Sequence, residues 1–138
     1  MTAAYLDASA LVKLMRPEPE TEALIEALAH WPVRIASEVV VVELGCTARR
    51  LGGEDLLDRA GTIVDGLDLI PFSATIRKRA VATAFDPPLR ALAAIHLATA
   101  LELGDDLDAF VAYDDHLRRA ADAERLGVES PRATDWVR

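Results

Sequence analysis

The chain has 138 residues, enough for one domain with a single buried core, and the whole of 1–138 is expected to form it. Apolar residues make up 51% and aromatics 5%, which excludes a disordered chain and requires a core of Leu, Val, Ile and Ala. A formal charge of -8 excludes a general electrostatic attraction to nucleic acid, and a single cysteine, Cys46, excludes an intrachain disulfide and a cysteine zinc cage.

Ala3 to Leu6 is a short buried strand, followed by Asp7. Ala8 to Met15 fits a helix with Leu11, Leu14 and Met15 on one face, stopped by Arg16-Pro17-Glu18-Pro19. Glu20 to Ala29 is a second helix that forms a hairpin with the first, and Val33 to Ala36 is a second strand. Ser37 suits an N-cap. Val39 to Val42 is β-branched and favours a strand by propensity, yet Glu38, Glu43, Leu44, Thr47 and Ala48 continue a helical pattern to Gly52-Gly53, so Glu38 to Leu51 is assigned as helix.

Glu54 to Leu67 carries one apolar stripe, and Leu69-Ile70-Pro71 is a short strand closed by proline. Ser73 caps a helix from Ala74 to Phe85, which Asp86-Pro87-Pro88 breaks. Leu89 to Leu103 is apolar nearly all round and belongs between neighbours, with Gly104 closing it. Asp105, Asp106 and Asp108 form an acidic turn before a strand from Ala109 to Tyr113. Asp115 to Ala123 is a helix, Gly127 to Glu129 a last strand, and the tail beyond Pro131 is expected to be loosely fixed. No apolar run reaches membrane length and no basic region precedes a long apolar stretch, so neither a span nor a secretory signal is expected and a cytoplasmic location is the default.

Alternating strands and helices imply a parallel sheet covered on both faces, with ligands beyond the carboxyl ends of its strands. Asp7 and Asp114 fall at such ends, and Glu43 follows the run Val39 to Val42. Any one of them is readily an ordinary strand-end or capping carboxylate. Three ionised carboxylates converging near a core would repel one another, and a divalent cation would relieve the repulsion and bring catalysis. Arg49-Arg50, Arg77-Lys78-Arg79 and Arg118-Arg119 are either solvated helix faces or local contacts for RNA.

Tyr5-Leu6-Asp7-Ala8-Ser9-Ala10-Leu11-Val12-Lys13, Val42-Glu43-Leu44, the segment Leu89 to Ala100 and Val111-Ala112-Tyr113-Asp114 resemble, in this order and spacing, the PIN domain. The closest likeness is to the VapC toxin ribonucleases of bacterial VapBC toxin–antitoxin modules, and it covers nearly the whole chain. It implies an α/β fold, a three-layer α/β/α sandwich around a central, mainly parallel sheet. It implies a toxin endoribonuclease that uses Mg2+ or Mn2+ to hydrolyse structured cellular RNA of the tRNA or rRNA class. It also implies a VapB-type antitoxin that blocks the site and a homodimer formed through the early helices.

Carried over by position, Asp7, Glu43 and Asp114 are the metal-binding carboxylates. Ser9 is the hydroxyl residue that steadies the site's waters. Glu43 is also the candidate for placing the attacking water. Asp115 is auxiliary and better suited to capping the helix it opens. One position departs from the family pattern: where Leu-Asp-Ala is usual, this chain has Leu92-Ala93-Ala94, so Ala93 stands at a vacated acidic position. A methyl group cannot coordinate Mg2+ or orient water, so the site is expected to be weakened. The intact neighbouring pattern favours an engineered inactivating change over a degenerate natural copy. His96 is expected to pack in the core or at an interface in preference to acting as a catalytic base, Cys46 to be an inert packed thiol, and Arg90 to lie at the surface or on phosphate. The alternative function is a catalytically inert module of the same fold that binds antitoxin or RNA. A phosphoryl-transfer enzyme of the haloacid dehalogenase type is disfavoured, because Ser9 occupies the place of its second acid.

Overall fold

A computed structural model describes residues 2–133 of the chain. It contains five strands, β1 (Ala3–Leu6), β2 (Val33–Ser37), β3 (Asp68–Ile70), β4 (Ala109–Val111) and β5 (Val128–Glu129). They form one sheet in the order β3-β2-β1-β4-β5, and every pair is parallel. The helices are α1 (Ala8–Met15), α2 (Thr21–Leu28), α3 (Val39–Leu51), α4 (Glu54–Asp65), α5 (Ala74–Ala82), α6 (Ala91–Leu103) and α7 (Asp115–Ala123), with a 3-10 turn at Gly104–Asp106.

Strand side chains alternate between the two faces of the sheet, and each face has its own core. On one side Ala4, Leu6, Ala36, Ala109 and Val111 meet Leu11 and Met15 of α1, Leu24 of α2, Val40 and Leu44 of α3 and Ala60 of α4. On the other, Ala3, Tyr5, Ile35, Phe110 and Ala112 meet Leu97 and Ala100 of α6 and Leu117 and Ala120 of α7. Helix, sheet and helix thus form the expected three layers, and the sheet is wholly parallel.

The ambiguous segment after β2 is helical, and its packing gives the reason. Val40, Leu44 and Ala48 are fully buried four residues apart, while Val41 and Val42 face solvent. A single buried stripe outweighs the strand propensity of the valines. β4 ends earlier than the sequence suggests because the Tyr113 N–H turns to the Ser9 hydroxyl at 2.9 Å. α6 starts at Ala91, after Pro87-Pro88, with no side-chain cap and no acid in its first turn. Its far end closes on Gly104, whose φ of 57° suits glycine. Pro131 is buried and accepts a 2.7 Å hydrogen bond from the Tyr113 hydroxyl, so the chain is held that far. The rest of the expected loose tail, from 134 on, lies outside the described residues.

Candidate active site

The sheet order creates the site. From β1 the chain moves outward to β2 and β3, then returns to lay β4 against the other side of β1 and continues to β5. The segments leaving β1 and β4 therefore diverge and open a crevice at the carboxyl ends of these two strands, the place where parallel sheets bind ligands. Asp7 follows β1 directly and Asp114 lies three residues beyond β4.

Asp7 is 4% exposed. It caps α1: its Oδ1 accepts the Ala10 N–H at 3.2 Å and the Ser9 hydroxyl at 2.7 Å. Ser9 also accepts the Tyr113 N–H, so its oxygen ties the end of β1 to the residue before Asp114. Burial raises the Asp7 pKa above the usual carboxylate value. The Ser9 bond, the His96 ring and the Ala10 N–H counter this, and the Glu43 carboxylate adds to it. None of the ion pairs among the described residues includes Asp7. A buried carboxyl outside these ion pairs is a place where a bound cation is favoured.

Asp114, and not Asp115, caps α7: its Oδ2 accepts the Leu117 N–H at 2.9 Å. The capping role expected of Asp115 is thereby corrected. Asp115 sits in the first helical turn, largely exposed, and pairs with Arg118 at 3.0 Å. A carboxylate at the N-cap can reach the N–H groups left open at the helix start, and here the residue one place earlier takes that position.

Glu43 is on α3, in the opposite helical layer from α6, and is mostly covered. Its Oε1 lies 2.7 Å from His96 Nε2, and His96 Nδ1 lies 2.6 Å from the Tyr5 hydroxyl. Tyr5 in turn accepts the Ser37 N–H at 3.1 Å. His96 is buried, as expected of a core residue, but the sequence did not disclose that both its nitrogens are engaged. The available signal was a lone histidine on an otherwise apolar helix and a tyrosine inside an apolar strand, two buried polar tips that each need a partner.

Ala93 is half-buried on α6, one turn before His96, and packs on the same core as Leu97. Residues three apart share a helix face, so a side chain at 93 lies alongside His96.

The donor set suits Mg2+ or Mn2+ in kind, being carboxylate oxygen. Glu43 is close enough to act on Asp7 electrostatically. In placement the set is incomplete: among the described residues no three His, Cys, Asp or Glu side chains gather closely enough to hold a metal. Two of the basic clusters carry mixed charge. Arg79 pairs with Glu102, and Arg118 and Arg119 share a 510 Å³ cleft with Asp115 and Asp122. Cys46, expected to be packed, is exposed. Among the described residues no helix is long and apolar enough to cross a membrane.

Residues 4–123 match the family model for the PIN domain. Ribonuclease VapC35 of Mycobacterium tuberculosis is 40% identical over 134 residues, spanning 92% of this chain and 96% of that protein. Ribonuclease VapC46 of the same organism is 36% identical over 144 residues, spanning 95% and 99%. A toxin–antitoxin complex from Klebsiella pneumoniae has a chain of the same fold, with a TM-score of 0.71 at 23% identity over 93% of this chain and 97% of that one.

Proposed function

Because the chain belongs to the PIN-domain family of VapC ribonuclease toxins, we propose that it is built as the metal-dependent endoribonuclease of a toxin–antitoxin module. The observation that carries this reading is Asp7, a buried carboxyl at the crevice between β1 and β4, close to Glu43 and outside every ion pair of the described residues. Asp7 and Glu43 would hold Mg2+ or Mn2+, with Asp114 joining from the end of β4. Bound there, the ion supplies an activated water and offsets charge developing on the scissile phosphate.

The chain's own residues do the positioning. Ser9 and the Ala10 N–H fix Oδ1 of Asp7, so that in this reading Oδ2 is the oxygen that would meet the ion. Capping likewise occupies one oxygen of Asp114. Glu43 enters from the opposite layer, and its role in this reading is to orient the attacking water. Ala93 leaves the fourth acidic position without an oxygen, so this chain is weakened or inert as a nuclease, while the crevice keeps its negative charge.

The substrate class is structured cellular RNA, tRNA or rRNA, met in the cytoplasm. Since the chain carries a net charge of -8, RNA is recognised by local contacts. The partner is a VapB-type antitoxin that covers the acidic crevice, for which an arginine is the fitting probe. The toxin forms a homodimer through its early helices, where Ile25, Val41 and Val42 are exposed.

Calorimetric titration with Mn2+ tests the site. Ala93→Asp should bind at least about 10-fold more tightly than the chain as it stands, the scale of a lost metal-site partner. Adding Asp7→Ala should abolish the gain. Equal affinity in all three proteins contradicts the assignment.

A further inference from the structure

We infer that His96 is a positioning residue, held from behind by Tyr5, that fixes the carboxylate of Glu43 in the candidate site. The consequence for metal binding rests on the ribonuclease reading above; the arrangement of the three side chains does not. It starts from an accounting of polar atoms. An ionised carboxylate only accepts hydrogen bonds, so His96 Nε2, 2.7 Å from Glu43 Oε1, must carry a proton. The Tyr5 hydroxyl lies 2.6 Å from Nδ1: it donates to the bare nitrogen of the neutral ring and accepts from the imidazolium, and in both forms Nε2 keeps its proton. Tyr5 completes its own needs by accepting the Ser37 N–H. The opposite neutral tautomer would set a lone pair of Nε2 against a carboxylate oxygen.

The ring has little freedom to turn. Tyr5 is fully buried, stacks on Phe110 with centroids 5.4 Å apart and planes 4° apart, and meets His96 edge-on at 5.8 Å. Packing alone does not require such a chain, since an apolar side chain fills a core without polar atoms to satisfy. What the chain achieves is specific. It starts at the end of β2, crosses β1, reaches α6 in one layer and ends on α3 in the other, beside the carboxyl ends of the strands. Glu43 is a flexible side chain tied through Oε1, so that in the ribonuclease reading Oε2 is the oxygen that would meet the ion. Partners behind a ligating carboxylate act on metal binding by holding its orientation.

Two measurements test this. Nitrogen-15 NMR of the labelled chain should find a proton on His96 Nε2, and Glu43→Gln should shift that signal. A bare Nε2 overturns the inference. Mn2+ affinity, read by electron paramagnetic resonance with circular dichroism as the folding control, should fall about 10–100-fold in His96→Leu. His96→Gln, which restores an N–H donor, should recover most of it, and Tyr5→Phe should fall between. Unchanged affinity in a folded His96→Leu protein also overturns it. If His96→Leu does not fold, His96→Gln with parental affinity and the NMR result support the inference, and a Tyr5→Phe protein of parental affinity overturns it. If instead Asp7→Asn binds Mn2+ as tightly as the parent, the ribonuclease reading is what fails, and the NMR arm decides the positioning of Glu43 by itself.

Discussion

Asp114 is a cap and a candidate ligand at once, and two substitutions separate the roles. Asparagine caps a helix about as well as aspartate, whereas alanine costs about 0.5–2 kcal/mol. Asp114→Asn should therefore keep the parental denaturation midpoint and lose Mn2+ affinity, while Asp114→Ala loses both. An Asp114→Asn protein with parental affinity would mark a cap only. Asp7 gives a pH signature. Its folded pKa is raised, so the folded state is penalised for ionising it: stability falls as pH rises from the ordinary value of 3.8 through the folded value, and the penalty is complete above. Asp7→Asn should melt higher than the parent at pH 7, and the two should converge in acid. At this scale the ends of apolar runs in the sequence pointed to Asp7 and Glu43 as candidates. It misplaced the cap by one residue, because Asp114-Asp115 offers two adjacent carboxylates and only backbone geometry chooses. It missed the bonds of His96, because they join residues 91 and 53 positions apart.

Among the elements, α3 and α6 decide the site. α3 was legible as a helix from the residues after its valines, and the valines alone would have given a strand. Leu44→Ala should cost about 2–5 kcal/mol, as a fully buried leucine does, whereas Val42→Ala, at 67% exposure, should stay within about 0.5 kcal/mol. Equal costs in urea denaturation would contradict the burial of one stripe. α6 was legible as a buried helix, since it is apolar all round. Its first turn carries no acid and its N-cap no side-chain bond. A carboxylate at position 93 falls in that turn, where the helix dipole favours negative charge by about 0.3–1 kcal/mol. Ala93→Asp should therefore fold with a melting temperature near the parent's, and a large loss in calorimetry would mean that the site does not accommodate the acid.

For the whole molecule, element order carried most of the information. Alternation of strand and helix implied the parallel sheet, and the strand order then set the crevice at β1 and β4 without reference to any motif. Which side chains actually meet there was beyond the sequence, because Glu43 and His96 come from opposite layers. Binding to the folded state alone stabilises it, by about 2.7 kcal/mol at 100 times Kd, so saturating Mn2+ should raise the melting temperature of Ala93→Asp more than that of the parent. The proposed function requires an acidic ribonuclease site in this fold, one carboxylate short. Its most direct test is cleavage of tRNA and rRNA with Mn2+ by purified Ala93→Asp, beside the parent and Ala93→Asp/Asp7→Ala. Metal-dependent cleavage is expected of Ala93→Asp, with little or none by the other two. A folded, metal-supplied Ala93→Asp that leaves a broad RNA panel intact, or cleavage that survives Asp7→Ala, would contradict it.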